Sequence, residues 1–196
     1  MFTHMGWTAL LGRRVEGRAM QEVGNRAFFA GTFTHRIDKK GRISIPARWR
    51  SEFRSEESPH LFVASTASGD AACAIECVMQ SDLRRRNSEQ ADRTELSQRQ
   101  RGLLGLHHFH AYTAQLIDPE GRVQLPAEAL IAADLALDDS DEGSTKTRSY
   151  TVRSPTAVLM GAGDRFYILH PDQVGPFLAE ASAEAEAADH NSRSGL

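Results

Sequence analysis

The chain has 196 residues, 40% of them hydrophobic and 25% charged, with a formal net charge of −3 at pH 7. These totals fit one ordinary domain or two small ones and exclude a uniformly basic nucleic-acid binder, although a total can hide the local asymmetry that decides attraction to phosphate. Only Cys73 and Cys77 could form a disulfide. Two thiols make no disulfide framework, fit a reducing compartment, and fall short of the four ligands of structural zinc, so they read as two small half-buried side chains on one strand face.

In chain order, residues 1–27 read as a flexible leader: the apolar run "WTALLG" has no basic segment before it and arginines straight after, unlike a signal peptide. No apolar run approaches the roughly 18–20 residues that span a bilayer, so a cytoplasmic location is expected. From residue 28 the pattern changes. "GTFTHRID" and "RISIP" alternate apolar with polar residues, as half-buried strands do. Between them, Asp38 suits the first position of a type I turn and Gly41 accepts the positive φ that closes a three-residue hairpin loop. Pro46 lacks an N–H, ends the second strand and suits the first turn of a short helix, "ARWRSEF". "HLFVASTASGDAACAIECV" follows as two strands about a Ser-Gly-Asp turn, completing a first unit over 28–80.

Residues 81–106 carry polar helix formers with few apolar positions and predict one or two exposed linker helices. A second unit over 109–172 starts with a strand in "HFHAYTAQLID" and proceeds through Asp118, Gly121, Arg122 and Pro126 into the helix "AEALIAA". An acidic, Ser/Thr-rich stretch at about 138–155 reads as an inserted surface loop, since it has little to bury. "AVLMGAGDRFYILH" supplies two closing strands, and 173–196 forms an Ala/Glu-rich helix and tail.

The two units are copies. Asp38, Gly41, Arg42, Pro46 and Ala47 recur as Asp118, Gly121, Arg122, Pro126 and Ala127, every one displaced by 80 residues. Each unit is ββα-ββ, too small to hold a core alone, so the two are expected to complement each other as the pseudo-twofold fusion of a homodimer. The fold class is α+β, mainly β.

"IDKKGRISIPARWR" and "LIDPEGRVQLPAEAL", with "VLMGAGDRFYILHP" closing the second unit, resemble the MraZ family, whose members carry two tandem SpoVT/AbrB-like domains each marked by Asp-x-x-x-Arg. The resemblance covers about residues 27 to 180. It implies a swapped-hairpin-type β-barrel with flanking helices and assembly of protomers into a homo-oligomeric ring. It further implies binding to double-stranded DNA at direct repeats upstream of division and cell-wall genes, the protein's own promoter included, and a place at the nucleoid. The leader and the insertion are longer than the family pattern. Neither a cofactor nor a small-molecule ligand is implied, and the protein is not expected to be an enzyme.

Charge separates the copies. His35 to Arg54 holds seven Lys/Arg (Arg36, Lys39, Lys40, Arg42, Arg48, Arg50, Arg54) against Asp38 and Glu52, a net +5, whereas Gln115 to Asp134 holds Arg122 against Asp118, Glu120, Glu128 and Asp134, a net −3. Lys and Arg that neutralise phosphates release counterions, and a two-stranded ribbon fits the major groove. The expected DNA contacts are therefore Lys39 and Lys40 on backbone, Arg36 or Arg42 on base or phosphate, and Arg48 and Arg50 on the flank. A bland reading stands beside this one. Each arginine follows an aspartate by four, so an Asp–Arg pair that stiffens the hairpin accounts for Arg122 and competes equally for Arg42, and Lys39 and Lys40 could be solvated turn residues.

Other features point elsewhere. "HHFH" (His107, His108, His110) invites a metal or acid–base reading, but on a strand at most two of the three share a face, and no accompanying motif lies nearby. Arg84 to Arg86 spread around a helix instead of forming one stripe, and read as a solvated linker. The alternative class is an AbrB-like antitoxin or a ring-forming interaction scaffold.

Overall fold

The computed structural model describes residues 27–53, 59–66, 73–92, 96–139 and 149–194. The leader up to residue 26, Arg54, the Ser-Gly-Asp turn, the centre of the insertion and the last two residues lie outside this set.

Among the described residues, ten strands and four α-helices make an α+β fold built around one large antiparallel sheet. The strands are β1 (Thr32–Arg36), β2 (Arg42–Ser44), β3 (His60–Ser65), β4 (Ile75–Met79), β5 (Thr113–Leu116), β6 (Arg122–Gln124), β7 (Ala136–Asp138), β8 (Tyr150–Val152), β9 (Thr156–Gly161) and β10 (Arg165–Leu169). The helices are α1 (Gln80–Ala91), α2 (Gln98–Phe109), α3 (Ala127–Ala132) and α4 (Val174–Ser194).

Strand order in the large sheet is β1-β9-β10-β4-β3-β5, so each copy's first strand pairs with the other copy's third. The order reads the same from either edge when the copies are interchanged. β2 and β6 pair separately, with Ile43 opposite Val123 and Arg42 and Ser44 opposite Gln124 and Arg122. Since Ile43 and Val123 occupy equivalent repeat positions, the pseudo-dyad passes between them. The same exchange recurs in the backbone: the Ile45 amide donates to the Gly121 carbonyl at 2.8 Å, and the equivalent Leu125 amide to Gly41 at 3.0 Å.

This pairing corrects the simple hairpin expected at each tip. Among the described residues the backbone pairing within each copy's first two strands is limited to the bridges Ile37–Ile43 and Ile117–Val123, after which β1 and β2, and β5 and β6, join different sheets. Alternation along a strand specifies which face is buried but not which neighbour covers its edge.

The core lies where the copies interlock. Ile43, Ile45, Leu61, Ile75, Val123, Leu125, Leu130, Leu159 and Ile168 are buried from both units. An aromatic cluster closes one end: the Phe29 ring stands edge-on to Trp49 and to Phe166 with centroids 5.5 and 5.1 Å apart, and Phe33 meets Trp49 at 5.1 Å. The Trp49 indole N–H donates to Ala30 O at 3.0 Å, satisfying the one polar group this cluster buries with the ring. "ARWRSEF" forms turns and a 3-10 segment, Arg50–Phe53, in place of the expected helix, and it brings Trp49 and Phe53 to this cluster.

Two further expectations change. His107 and His108 belong to α2, not to a strand, and His110 follows as its C-cap, with Nδ1 2.8 Å from Leu106 O. The helix starts at a capping box in which the Gln100 backbone amide donates to Ser97 Oγ and the Ser97 amide to Gln100 Oε1, and it runs through Gly102 and Gly105 with no proline before His110. The insertion, expected as a loop, is based on the ribbon β7–β8, where Ala136, Leu137 and Asp138 face Val152, Thr151 and Tyr150.

Candidate nucleic-acid interface

The two tips have the same internal geometry. In the first, the Arg42 amide donates to Asp38 Oδ1 at 2.9 Å and its Nε to Oδ2 at 2.7 Å; in the second, Arg122 reaches Asp118 by the same two bonds at 2.8 Å each. Gly41 and Gly121 close the turns with φ of 72° and 76°, the left-handed region that costs a side chain 1 kcal/mol or so. Burial works against the charge on Asp38, but the Arg42 amide and guanidinium and the Lys40 amide outweigh it and hold the carboxyl below its ordinary value. Asp118 is lowered in the same way by Arg122. An Asp–Arg pair therefore braces the turn in both copies.

The charges around that architecture differ. Arg36, Lys39, Lys40 and Arg48 are exposed, and none of the four side chains forms a salt bridge or hydrogen bond with a described residue. Arg42 is occupied by Asp38 but remains about one-third exposed. Arg50 is turned inward to the other copy: its Nε donates to Ile45 O at 2.9 Å, and its guanidinium lies over Gly121. At the second tip, Arg122 also binds Glu120 at 3.0 Å, Pro119 stands where the first tip has Lys39, and Glu128 is exposed. Pro46 is buried two residues past the end of β2, and Pro126, two past the end of β6, is the N-cap of α3.

Several contacts were invisible in the sequence. His35 Nδ1 lies 2.7 Å from Ser44 O, which fixes that nitrogen as the donor and ties β1 to β2 behind the tip. The Tyr150 hydroxyl donates to Lys40 O at 2.8 Å, and Gln124 Nε2 donates to the same carbonyl. Arg85 and Arg86, expected on a solvated face, instead hold α1 to the sheet. Arg85 reaches Asp164 at 2.7 Å, Arg86 reaches Glu76 at 3.3 Å, and Arg165 binds both acids at 3.0 Å; Arg84 alone of the three is exposed. Among the described residues no group of three or more His, Cys, Asp or Glu is arranged to hold a metal ion, and no helix is long and apolar enough to cross a membrane.

The fold is an α+β protein of two interlocked repeats, each presenting an Asp-x-x-Gly-Arg tip. The comparisons with known proteins narrow this. A family model described as "MraZ protein, putative antitoxin-like" matches residues 28–62, the segment that contains the first tip and its basic side chains. The transcriptional regulator MraZ of Rhodospirillum rubrum is 26% identical over 144 residues, 73% of this chain and 79% of its own length. That of Thermomicrobium roseum is 61% identical over 28 residues, 14% of this chain and 20% of its own. The chain is thus similar to MraZ transcriptional regulators, at its first tip and, with lower identity, over most of its length.

Proposed function

We propose that this protein is a DNA-binding transcriptional regulator, with the first tip as its contact to double-stranded DNA. One observation carries the reading: on a scaffold whose two tips share backbone, turn glycine and Asp–Arg pair, only the first is surrounded by exposed cations with no ion-pair or hydrogen-bond partner among the described residues. The fold accounts for the repeated residues. It does not require Arg36, Lys39, Lys40 or Arg48, which have no counterpart in the second copy and stand where phosphate neutralisation would use them.

In this reading Lys39 and Lys40 bind backbone phosphates, Arg36 and Arg48 extend the contact along the flanks, and Asp38 holds Arg42 so that its remaining N–H groups face outward to base or phosphate. Arg50 contributes charge from within the fold. The units 28–80 and 109–172 act as the exchanging halves of one swapped-hairpin barrel, and protomers assemble into a ring, so that several tips meet successive direct repeats and raise the effective concentration of each. The sites proposed are direct repeats upstream of the division and cell-wall cluster and its own promoter, placing the protein at the cytoplasmic nucleoid. The names of the two relatives support the regulatory role.

Footprinting the purified protein on DNA upstream of its own gene tests this. Regularly spaced protection is expected; none at any protein concentration at low salt would overturn it. A protein-binding scaffold or antitoxin is the second reading, favoured by Leu103 and Leu106, both more than half exposed on α2, and by the family description. It predicts a protein partner retained as salt rises, without DNA protection.

A further inference from the structure

We propose that Tyr150 and Gln124, both from the second copy, are positioning residues that lock the backbone of the first tip in its DNA-contacting form, and that the insertion exists in part to supply the tyrosine. The inference rests on the DNA reading above and adds to it how the tip is held.

Three observations carry it. First, the Lys40 carbonyl accepts two side-chain hydrogen bonds, from the Tyr150 hydroxyl at 2.8 Å and from Gln124 Nε2, although it lies on an exposed turn where water would satisfy it equally. Lys40 is also the residue whose amide donates to Asp38 Oδ1, so the peptide groups on both its sides are fixed. Second, the contact is close. A Cβ added at Gly41 would come within 2.5 Å of the Tyr150 hydroxyl oxygen, 2.7 Å of Leu130 Cδ1 and 3.2 Å of Gln124 Nε2, so that the turn lies directly on second-copy side chains. Third, the arrangement is not repeated. The repeat equivalent of Leu130 is Arg50, which covers Gly121, and the equivalent of Gln124 is Ser44; Tyr150 lies on β8, part of the extra segment that only the second copy has between its helix and its third strand. Among the described residues, no hydroxyl plays this part at the second tip.

The chemistry suits a contact surface. A flexible turn loses conformational freedom when it enters a groove, and a turn already held pays less of that on binding. Backbone clamping leaves the lysine ammonium groups free, whereas a side-chain partner would compete with phosphate. Tyr150 is half-buried and lies against the ribbon base, which gives a rigid, low-entropy donor where a long flexible side chain would not.

The test combines amide hydrogen exchange on the free full-length protein with titration of the duplex upstream of its own gene at several salt concentrations. For Tyr150→Phe, exchange at the Gly41 and Arg42 amides should accelerate about threefold or more, with Gly121 and Arg122 unchanged as an internal control of folding. The duplex Kd should rise about three- to tenfold while the slope of log K against log salt stays at the wild-type value, because no phosphate contact is lost. Gln124→Ala should act in the same direction at the same amides. Unchanged exchange at Gly41 in both variants would overturn the clamp. Faster exchange with an unchanged Kd would show that the clamp does not serve binding and would overturn the inference while sparing the DNA reading. A wild-type protein that ignores the duplex overturns the DNA reading itself, and the exchange data still decide whether Tyr150 holds the tip.

Discussion

The guanidinium of Arg50 lies so close over Gly121 that a Cβ on that glycine would stand 2.5 Å from Nε and 2.7 Å from Cζ. A basic residue of the first copy thereby serves as the cover of the second tip. Gly121→Ala must relieve both this overlap and a φ of 76°, and is expected to lower stability by about 1–3 kcal/mol, read as a fall in Tm. Arg50→Ala should lower Tm as well, through lost packing and the lost bond to Ile45 O.

Arg42 and Arg122 separate architecture from contact. Both alanine variants keep the backbone amide bond to the aspartate four residues earlier but lose the guanidinium bond to it, and should lower Tm in thermal melts by a similar amount, the exposed Arg122–Glu120 pair adding little. Only Arg42→Ala should also weaken DNA binding, by tenfold or so, since a charge-assisted contact to nucleic acid is worth about 1–3 kcal/mol. Equal losses of DNA affinity in the two variants would contradict the assignment of the first tip.

The Asp38 pair sets a pH dependence. Its carboxyl is held below the ordinary 3.8, so the folded state binds this proton less readily than the unfolded chain. The stabilisation is complete above that ordinary value and is lost as pH falls through the lower folded value. Asp38→Asn should therefore reduce Tm at pH 7 by the equivalent of about 1 kcal/mol, discounted for an exposed pair, and the difference from wild type should shrink in acid melts below pH 4 or so.

The ion cluster between α1 and the sheet gives a prediction about the linker. Glu76 accepts from Arg86, from Arg165 at 3.0 Å and from the Tyr112 hydroxyl at 2.6 Å, and its side chain is largely buried. Glu76→Ala leaves two arginines and a phenol short of an acceptor and should cost about 3 kcal/mol in denaturant unfolding. Glu76→Gln keeps the shape and part of the bonding and should cost less.

What the sequence revealed follows the range of the interactions. The repeat, the glycine turns, the Asp–Arg spacing and the strand faces at Ile43, Ile45 and Val123 are local patterns, and each stands in the structure. The partners of those strands are not local: β1 finds β9 more than a hundred residues on, and nothing in either strand specifies that register. Arg85 and Arg86 looked solvated because their acid Asp164 is 79 and 78 residues away. Tyr150 closes an apparently loop-like insertion and gave no sign of reaching Lys40, 110 residues earlier. The helical state of His107 and His108 was the more legible of these, since Ser97 and Gln100 spell a capping box that starts α2 and a 12-residue helix from there includes them.

In the proposed function, exposed cations at the first tip, on a scaffold indifferent to them, bind DNA. Titration of the upstream duplex with Lys39→Ala/Lys40→Ala over a range of salt concentrations tests it most directly. Expected are an unchanged Tm, weaker binding at low salt, and a slope of log K against log salt smaller in magnitude by about 2 than that of wild type, one for each phosphate contact removed. A double variant that binds with the wild-type affinity and the wild-type slope would contradict it.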